Sequence, residues 1–272
     1  MLSVNTNSSA LSAVRNLKAS SEWLKTLHTR ISTGLNVSSV KDNAAIYSIA
    51  QRMRGDLAGL NATVGSIDRA TVTVDVATVA TESISDLLNE MKGKLVSMLD
   101  AQKNGDTSGE ALYKSDLDAL REMIKSRITS ASFNGSNLID QGNDIISALA
   151  SSDGDETLDF EHKDLQFGGA IITLTDDSNY TMEALDASIK NVNRALGHFG
   201  TASRRLEIQK EFTNKLHDVI ETSIGRLVDA DLARTAADLE AAQIKIQLGI
   251  ASLNIANKSP QAILSLFKPS GR

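Results

Sequence analysis

The chain contains no cysteine, which excludes a disulfide framework and any thiolate-bound metal. Proline occurs only at positions 260 and 269 of 272 residues. Nearly the whole chain therefore lacks the strongest helix breaker, and extended helix is the expectation. Aromatic residues amount to 4%. No window approaches 18 consecutive apolar residues, and the N-terminus lacks the basic stretch and apolar core of a secretory signal. No membrane insertion is expected, and an exported chain would leave by a route that keeps its N-terminus. Lys and Arg form no basic run, so no nucleic-acid partner is expected, because phosphate contacts need clustered cations.

What is present belongs to a soluble protein: 41% hydrophobic and 23% charged residues, with a net charge of −6. The charge is uneven. Residues 1–40 carry +3, residues 230–272 carry +2, and the stretch between them −11, so the middle is the solvated part.

Ala10, Val14, Leu17, Leu24 and Ile31 recur at helical spacing, with Leu11 and Leu27 widening the stripe, and predict a helix over about 8–32. Gly34, Ser38 and Ser39 interrupt it, and Asp42 or Asn43 is placed to cap the next helix. From Ile46 the positions Ala50, Met53, Leu57, Leu60, Val64, Ile67, Thr71, Val74, Thr78, Thr81, Ser85, Leu88 and Leu95 step by threes, fours and sevens, as in a coiled-coil seam. At 1.5 Å per residue, 46–98 would span roughly 80 Å, which predicts a rod. Asn104-Gly105-Asp106 breaks the pattern, and Leu117, Leu120, Ile124 and Ile128 predict a shorter helix folded back beside the first.

Asn134-Gly135 suits a type I′ turn, and "TLDFEHKDLQF" and "AIITLTD" read as alternating strands. Ten acids and one lysine between 140 and 177 place this region in solvent. After Asn179 or Thr181, apolar residues at 185, 189, 192, 196, 199, 206, 212, 216, 220, 224 and 227 predict a returning helix. A last heptad pattern, Leu232, Ala236, Leu239, Ala242, Ile246, Ile250 and Leu253, is rich in alanine, which lets helices approach closely. It is expected to end near Asn257-Lys258-Ser259-Pro260, ahead of a short apolar tail containing Leu264 and Leu266. The fold class is thus mainly α: a long antiparallel coiled-coil rod, a small β-hairpin region, and terminal helices pairing into a polymerisation domain.

Both ends are amphipathic and lack a globular core of their own, so each has only the other end and neighbouring copies to bury its stripe against. A dozen Leu, Ile and Val side chains at about 1.5–3 kcal/mol each give tens of kcal/mol of gross burial before ordering entropy. Alone these ends should be partly disordered; with partners they should drive polymerisation. Expected interface residues are Val14, Leu17, Trp23, Leu24, Leu27 and Ile31 at one end, and Leu232, Leu239, Ile246, Ile250, Leu253, Leu264 and Leu266 at the other. Trp23, the lone tryptophan, is expected at a subunit contact because its helix has no core within one chain.

At these same residues the chain resembles bacterial flagellin. The matching strings are "VNTNSSALSAVRNLKASSEWLKTLHTRISTGLNVSSVKDNAAIYSIAQRMR" at 4–54, "FNGSNLI" at 133–139 and "VDADLARTAADLEAAQIKIQLGIASLNIANKSPQAILSLF" at 228–267. The resemblance implies a small, secreted, extracellular filament subunit without the large variable outer domains. Residues 1–42 and 229–272 would be the two halves of an inner filament core. Residues 43–131 and 179–228 would form the rod helices, with 132–178 a solvent-exposed β-hairpin region. Implied partners are other copies of the chain, the flagellar export apparatus and its chaperone, the filament cap and hook-associated proteins. The family's receptor-recognition segment corresponds to Asn89, Glu90, Met91, Lys92, Gly93, Lys94, Leu95 and Val96. Glu90 stands where the family pattern has an arginine, and this implies weak or absent activation of the flagellin-sensing Toll-like receptor.

No catalytic residue, cofactor or metal site is expected. His28, His162, His198 and His217 are scattered without a second ligand at helical spacing. Gly168-Gly169 reads as a turn, not a phosphate cradle, and the acids at 153–164 lack the spacing of a calcium loop. Asn-x-Ser/Thr triplets at Asn7, Asn61 and Asn134 read as chance. The alternatives weighed against a filament subunit are a hook–filament junction protein, and a secreted enzyme or carbohydrate-binding protein on a helical rod. The second needs convergent polar groups that the sequence does not supply.

Overall fold

The structure, a computed structural model, describes residues 6–142, 145–175 and 180–266, with side chains up to residue 258. Among these residues the elements run α1 (Ser8–Thr33), α2 (Ala44–Lys103), α3 (Thr107–Ser130), β1 (Ser132–Phe133), β2 (Ser136–Asn137), β3 (Ile145–Leu149), β4 (Thr157–Glu161), α4 (Met182–Val228) and α5 (Leu232–Leu266). The chain divides into two compact units, residues 55–219 and the combined stretches 1–54 and 220–272.

The 55–219 unit holds a continuous core. Along α2, Ile67, Val74, Ile84, Leu88, Met91 and Leu95 are buried, and they belong to one cluster with Leu117, Leu120, Ile124 and Ile128 of α3 and Leu185, Val192, Phe199 and Leu206 of α4. α2 and α4 run antiparallel: Lys92 pairs with Asp186 at 2.6 Å, Ser85 donates to Asn193 at 3.2 Å, and Lys210 pairs with Asp68 at 2.7 Å. Threonines sit on the buried face because each satisfies its own hydroxyl within the helix. Thr63, Thr73 and Thr81 donate to the carbonyls of Gly59, Arg69 and Ala77, one turn back, at 3.0, 2.9 and 2.6 Å.

Local chemistry sets the ends of these elements. Asp106 accepts from the Gly109 N–H at 2.9 Å and caps α3. Asn134 (φ 52°) and Gly135 (φ 86°) form the two-residue turn between β1 and β2, the left-handed pair a type I′ hairpin requires. β3 and β4 pair antiparallel from Ile145↔Glu161 to Leu149↔Thr157. The loop between them lies on α2 and α4: Thr63 shares its one hydroxyl proton between the Gly59 carbonyl and the Ser151 carbonyl, the latter at 2.9 Å, and Gln209 donates to the Ala150 carbonyl at 2.9 Å. At Gly59 an added Cβ would collide with the Ser152 carbonyl oxygen, so only glycine admits that approach.

Three expectations are corrected. "IISAL" is a strand that the alternation reading passed over, while "AIITLTD" is not one over its described residues. Its backbone is satisfied instead by α4 side chains. Asn191 donates to the carbonyls of Ala170 and Ile171 at 3.3 and 3.2 Å, and the Thr173 N–H donates to Ser188 at 3.0 Å. On α4, Phe212 and Leu216 leave the buried stripe, and Thr213, 1% exposed, takes the heptad position after Val192, Phe199 and Leu206. Its hydroxyl donates to the Gln209 carbonyl at 2.9 Å, so burial leaves it satisfied. Finally, α5 continues through Pro260 to Leu266. Asn179, the alternative helix start, lies outside the described residues; Thr181 accepts from the Ala184 N–H at 3.3 Å and caps α4.

Candidate polymerisation surface

The unit formed by 1–54 and 220–272 is built on α1 and α5, two antiparallel helices joined at both ends of their seam. Asn7 caps α1 by accepting from the Ala10 N–H at 2.9 Å. Its other side-chain atom, Nδ2, donates to the Ala256 carbonyl at 2.7 Å. That carbonyl is the one four residues before Pro260, which has no N–H to give it. One asparagine thus serves the start of one helix and the orphaned acceptor of the other, and the proline need not end α5. At the far end Gly34 (φ 72°) closes α1, and its carbonyl accepts from the Ala230 N–H at 2.9 Å. Asn43, not Asp42, caps α2, accepting from the Ala45 and Ile46 N–H groups at 3.1 Å each. Asp42 instead takes four bonds from Ser38 and Ser39 at 2.9–3.1 Å, led by the Ser38 hydroxyl, and these hold its carboxyl below the usual carboxylate range.

Along the seam α1 turns Ala10, Ala13, Leu17, Ser20, Leu24 and Leu27 inward, with Ala13 and Leu27 buried. From α5, Thr235, Leu239, Ala242, Ile246, Gly249, Leu253 and Ala256 are likewise covered or half-covered. The small residues set the spacing: a Cβ on Gly249 would meet Leu17 Cδ1 at 3.3 Å. Trp23 is half-buried, and Lys245 Nζ lies 4.6 Å from its ring centroid. The premise that the helix of Trp23 has no core within one chain is corrected, since α5 covers part of its ring.

The expected interface residues therefore separate. Leu17, Leu24, Leu27, Leu239, Ile246 and Leu253 lie on the seam inside one chain. Val14, Ile31, Leu232 and Ile250 are exposed. Leu264 and Leu266 fall where only the backbone is described.

The sequence reading missed a second heptad series on α5: Ala237, Ala241, Ile244, Leu248, Ala251 and Ile255. It runs two residues out of phase with the seam, about 200° round the helix. Leu248 is 64% exposed and Ile255 71%. A helix apolar on opposite faces is a buried helix, and α1 covers only one of those faces. The missing signal was the apolar character all round α5, which a search for a single stripe discards.

The receptor-matching segment lies on α2. Met91 and Leu95 are fully buried, Lys92 pairs with Asp186, and Lys94 pairs with Asp116 at 2.6 Å. That leaves Asn89, Glu90, Gly93 and Val96 outward. The reading that no histidine has a second ligand type at helical spacing is corrected: on α4, His217, Asp218 and Glu221 bring ligand-type atoms within 4.8 Å of one another. Exposed acids on one turn of helix carry no metal reading by themselves. No helix among the described residues is long and apolar enough to cross a membrane.

Comparison with known proteins bears on the same two helices. The model of the bacterial flagellin N-terminal helical region matches residues 4–144, and that of the C-terminal helical region matches 182–267. Flagellins FljK and FljJ of Caulobacter vibrioides are 37% and 40% identical to the chain, over 98% of it and 98% and 99% of their own lengths. A flagellin of Brucella melitensis is 31% identical over 98% of the chain and 100% of its own length.

Proposed function

The chain belongs to the bacterial flagellin family, and from that premise we propose that it is a structural subunit that polymerises into the extracellular flagellar filament for swimming motility. The observation that carries the mechanism is the second apolar face of α5. Its heptad series Ile244, Leu248 and Ile255 has the form of a coiled-coil seam, and α1 and α5 offer it nothing in their own chain. Neighbouring copies supply the cover, and a contact between two different faces of one molecule builds an open helix when its rotation does not close into a ring. The match along almost the whole length of proteins named flagellin favours unlimited filament growth over a junction ring.

In this reading residues 1–42 and 229–272 form the inner filament core, 43–131 and 179–228 the rod helices, and 132–178 a solvent-exposed hairpin region. The subunit passes through the flagellar export apparatus unfolded, guided by a chaperone, and joins under the filament cap beyond the hook-associated proteins. The sparsely cored terminal unit suits such passage. Receptor activation is weak, because the outward part of 89–96 presents Glu90 and both lysines are already paired. A cell reporter exposed to purified monomer should stay near background; a response equal to that of a strong agonist overturns the receptor reading.

Electron microscopy of nucleated, purified protein tests the function itself. Filaments without a fixed length are expected, and none from a chain trimmed after Ala230. Short rings, or growth unaffected by the truncation, would overturn the proposal.

A further inference from the structure

The 55–219 unit carries two apolar surfaces that its own core does not use. One is a groove of about 490 Å³ along α2, floored by Val72, Val76, Val79 and Ala80 and closed at its side by Arg127, Ser130 and Ala131 at the end of α3. The other is a ridge on α4: Ile208, Phe212, Leu216 and Val219, with Phe212 58% exposed. The ridge is what the displacement of Phe212 and Leu216 from the buried stripe creates. With Thr213 in the heptad position, these side chains fall on the flank of the helix, about 60–100° round from it.

We propose that the ridge of one copy seats in the groove of the next. The proposal rests on the filament reading and adds to it which faces meet outside the terminal helices. Three observations support this occupant. Val72 to Ser83 and Ile208 to Val219 are each twelve residues of helix, eleven rises of 1.5 Å or about 16 Å end to end, so ridge and groove match in length. Both surfaces are edged by charges of both signs, and on the ridge exposed Asp218 joins Glu211 and Lys215. The groove has Asp75 and Arg127 on its rim, whereas the ridge is flanked by Glu211 and Lys215, ion-paired to each other at 2.6 Å and exposed. Docking lets Lys215 reach Asp75 while Glu211 reaches Arg127, exchanging one surface pair for two pairs at an interface. Lastly, groove and ridge are different surfaces of one unit, so the contact is heterologous, the kind from which an open-ended polymer is built when its rotation does not close into a ring.

The chain's lack of cysteine makes a direct test available, because every introduced thiol is unique. Val79→Cys and Phe212→Cys replace exposed side chains, so both variants should fold, which circular dichroism checks. Filaments grown from a mixture of the two should yield covalent dimers with a short bismaleimide, and filaments of either variant alone should yield none. The double variant V79C/F212C should give a ladder of covalent oligomers. Filaments that form but show no mixed cross-link, or only Val79→Cys joined to itself, overturn the pairing and leave the filament function standing. A thiol at 79 that labels as fast in filaments as in monomer also overturns it, since the groove is then open or serves a partner outside the filament. A wild-type control that never polymerises overturns both readings together.

Discussion

The two units of this chain solve the burial problem differently. Residues 55–219 close a core on themselves: Ile67, Leu88 and Leu95 of α2, Ile124 of α3, Phe199 of α4 and Phe160 of β4 are all at or near full burial. In the unit formed by 1–54 and 220–272, Leu27 and Ala242 are the comparable residues of the α1–α5 seam, while Ile244, Leu248 and Ile255 stand in solvent. Burial of an apolar side chain contributes about 1.5–3 kcal/mol, against an ordering cost of about 1–2 kcal/mol per residue of backbone. A seam of this size therefore leaves the terminal pair marginal, and the first unit is stable without help. In the proposed filament the terminal pair gains its order from neighbours, whereas residues 55–219 bring an already folded surface to theirs.

Substitutions that separate the two faces of α5 break this comparison most sharply. Leu248→Asp should abolish assembly outright and leave the monomer's circular dichroism unchanged, because the charge is buried only when a neighbour arrives. Sedimentation of nucleated protein reads the loss, and normal filaments would end the two-face account. Ile246→Asp acts on the other side of the same helix. It should also prevent assembly, but with loss of monomer helicity, because its charge falls on the seam with α1. An unchanged helical signal in that variant would contradict the assignment of Ile246 to the seam.

A smaller effect is expected at Asn7. Asn7→Ala removes the cap of α1, worth about 1 kcal/mol, and leaves the Ala256 carbonyl without a donor, a further ~1 kcal/mol or more. The free energy of α1–α5 unfolding, read by denaturant titration, should fall by that amount, with residues 55–219 untouched. Asn7→Asp restores the cap but not the donor and should recover part of the loss. Equal stability of all three chains would remove the proline-compensation role.

The smallest effect concerns pH and the other unit. Burial pushes the His198 imidazole below its ordinary value, helped by Lys163 and Arg205 and opposed by Glu161. A histidine with a lowered folded pKa leaves stability intact above the unfolded value of about 6.5 and erodes it as pH falls below that. Thermal unfolding of the 55–219 unit should therefore weaken slightly from pH 6.5 downward. His198→Gln should flatten that part of the profile; an unchanged slope would assign the dependence to other groups.

Helix content and the α2 seam were legible in the sequence because periodicity reports a face that is buried or half-buried along its length. None of the fourteen seam positions from Ile46 to Leu95 is exposed. The turn at Asn134-Gly135 was legible because only a left-handed pair fits there. Where one residue serves two masters, the pattern misleads. Phe212 looks like a core residue by hydrophobicity, yet a self-satisfied threonine beside it fits the stripe. Pro260 looks like a stop, yet Asn7, some 250 residues away, supplies the missing donor. The interface residues were legible as a set but not as two faces, since a single chain does not say which apolar stripe its own partner helix will cover.

Backbone amide exchange, measured residue by residue in dilute monomer and in assembled filaments, tests the central claim most directly. Amides of α1 and α5 should exchange quickly in monomer and become strongly protected in filaments, while those around Ile67, Leu88 and Phe199 are protected in both. Terminal helices as well protected in monomer as in filament would contradict the account.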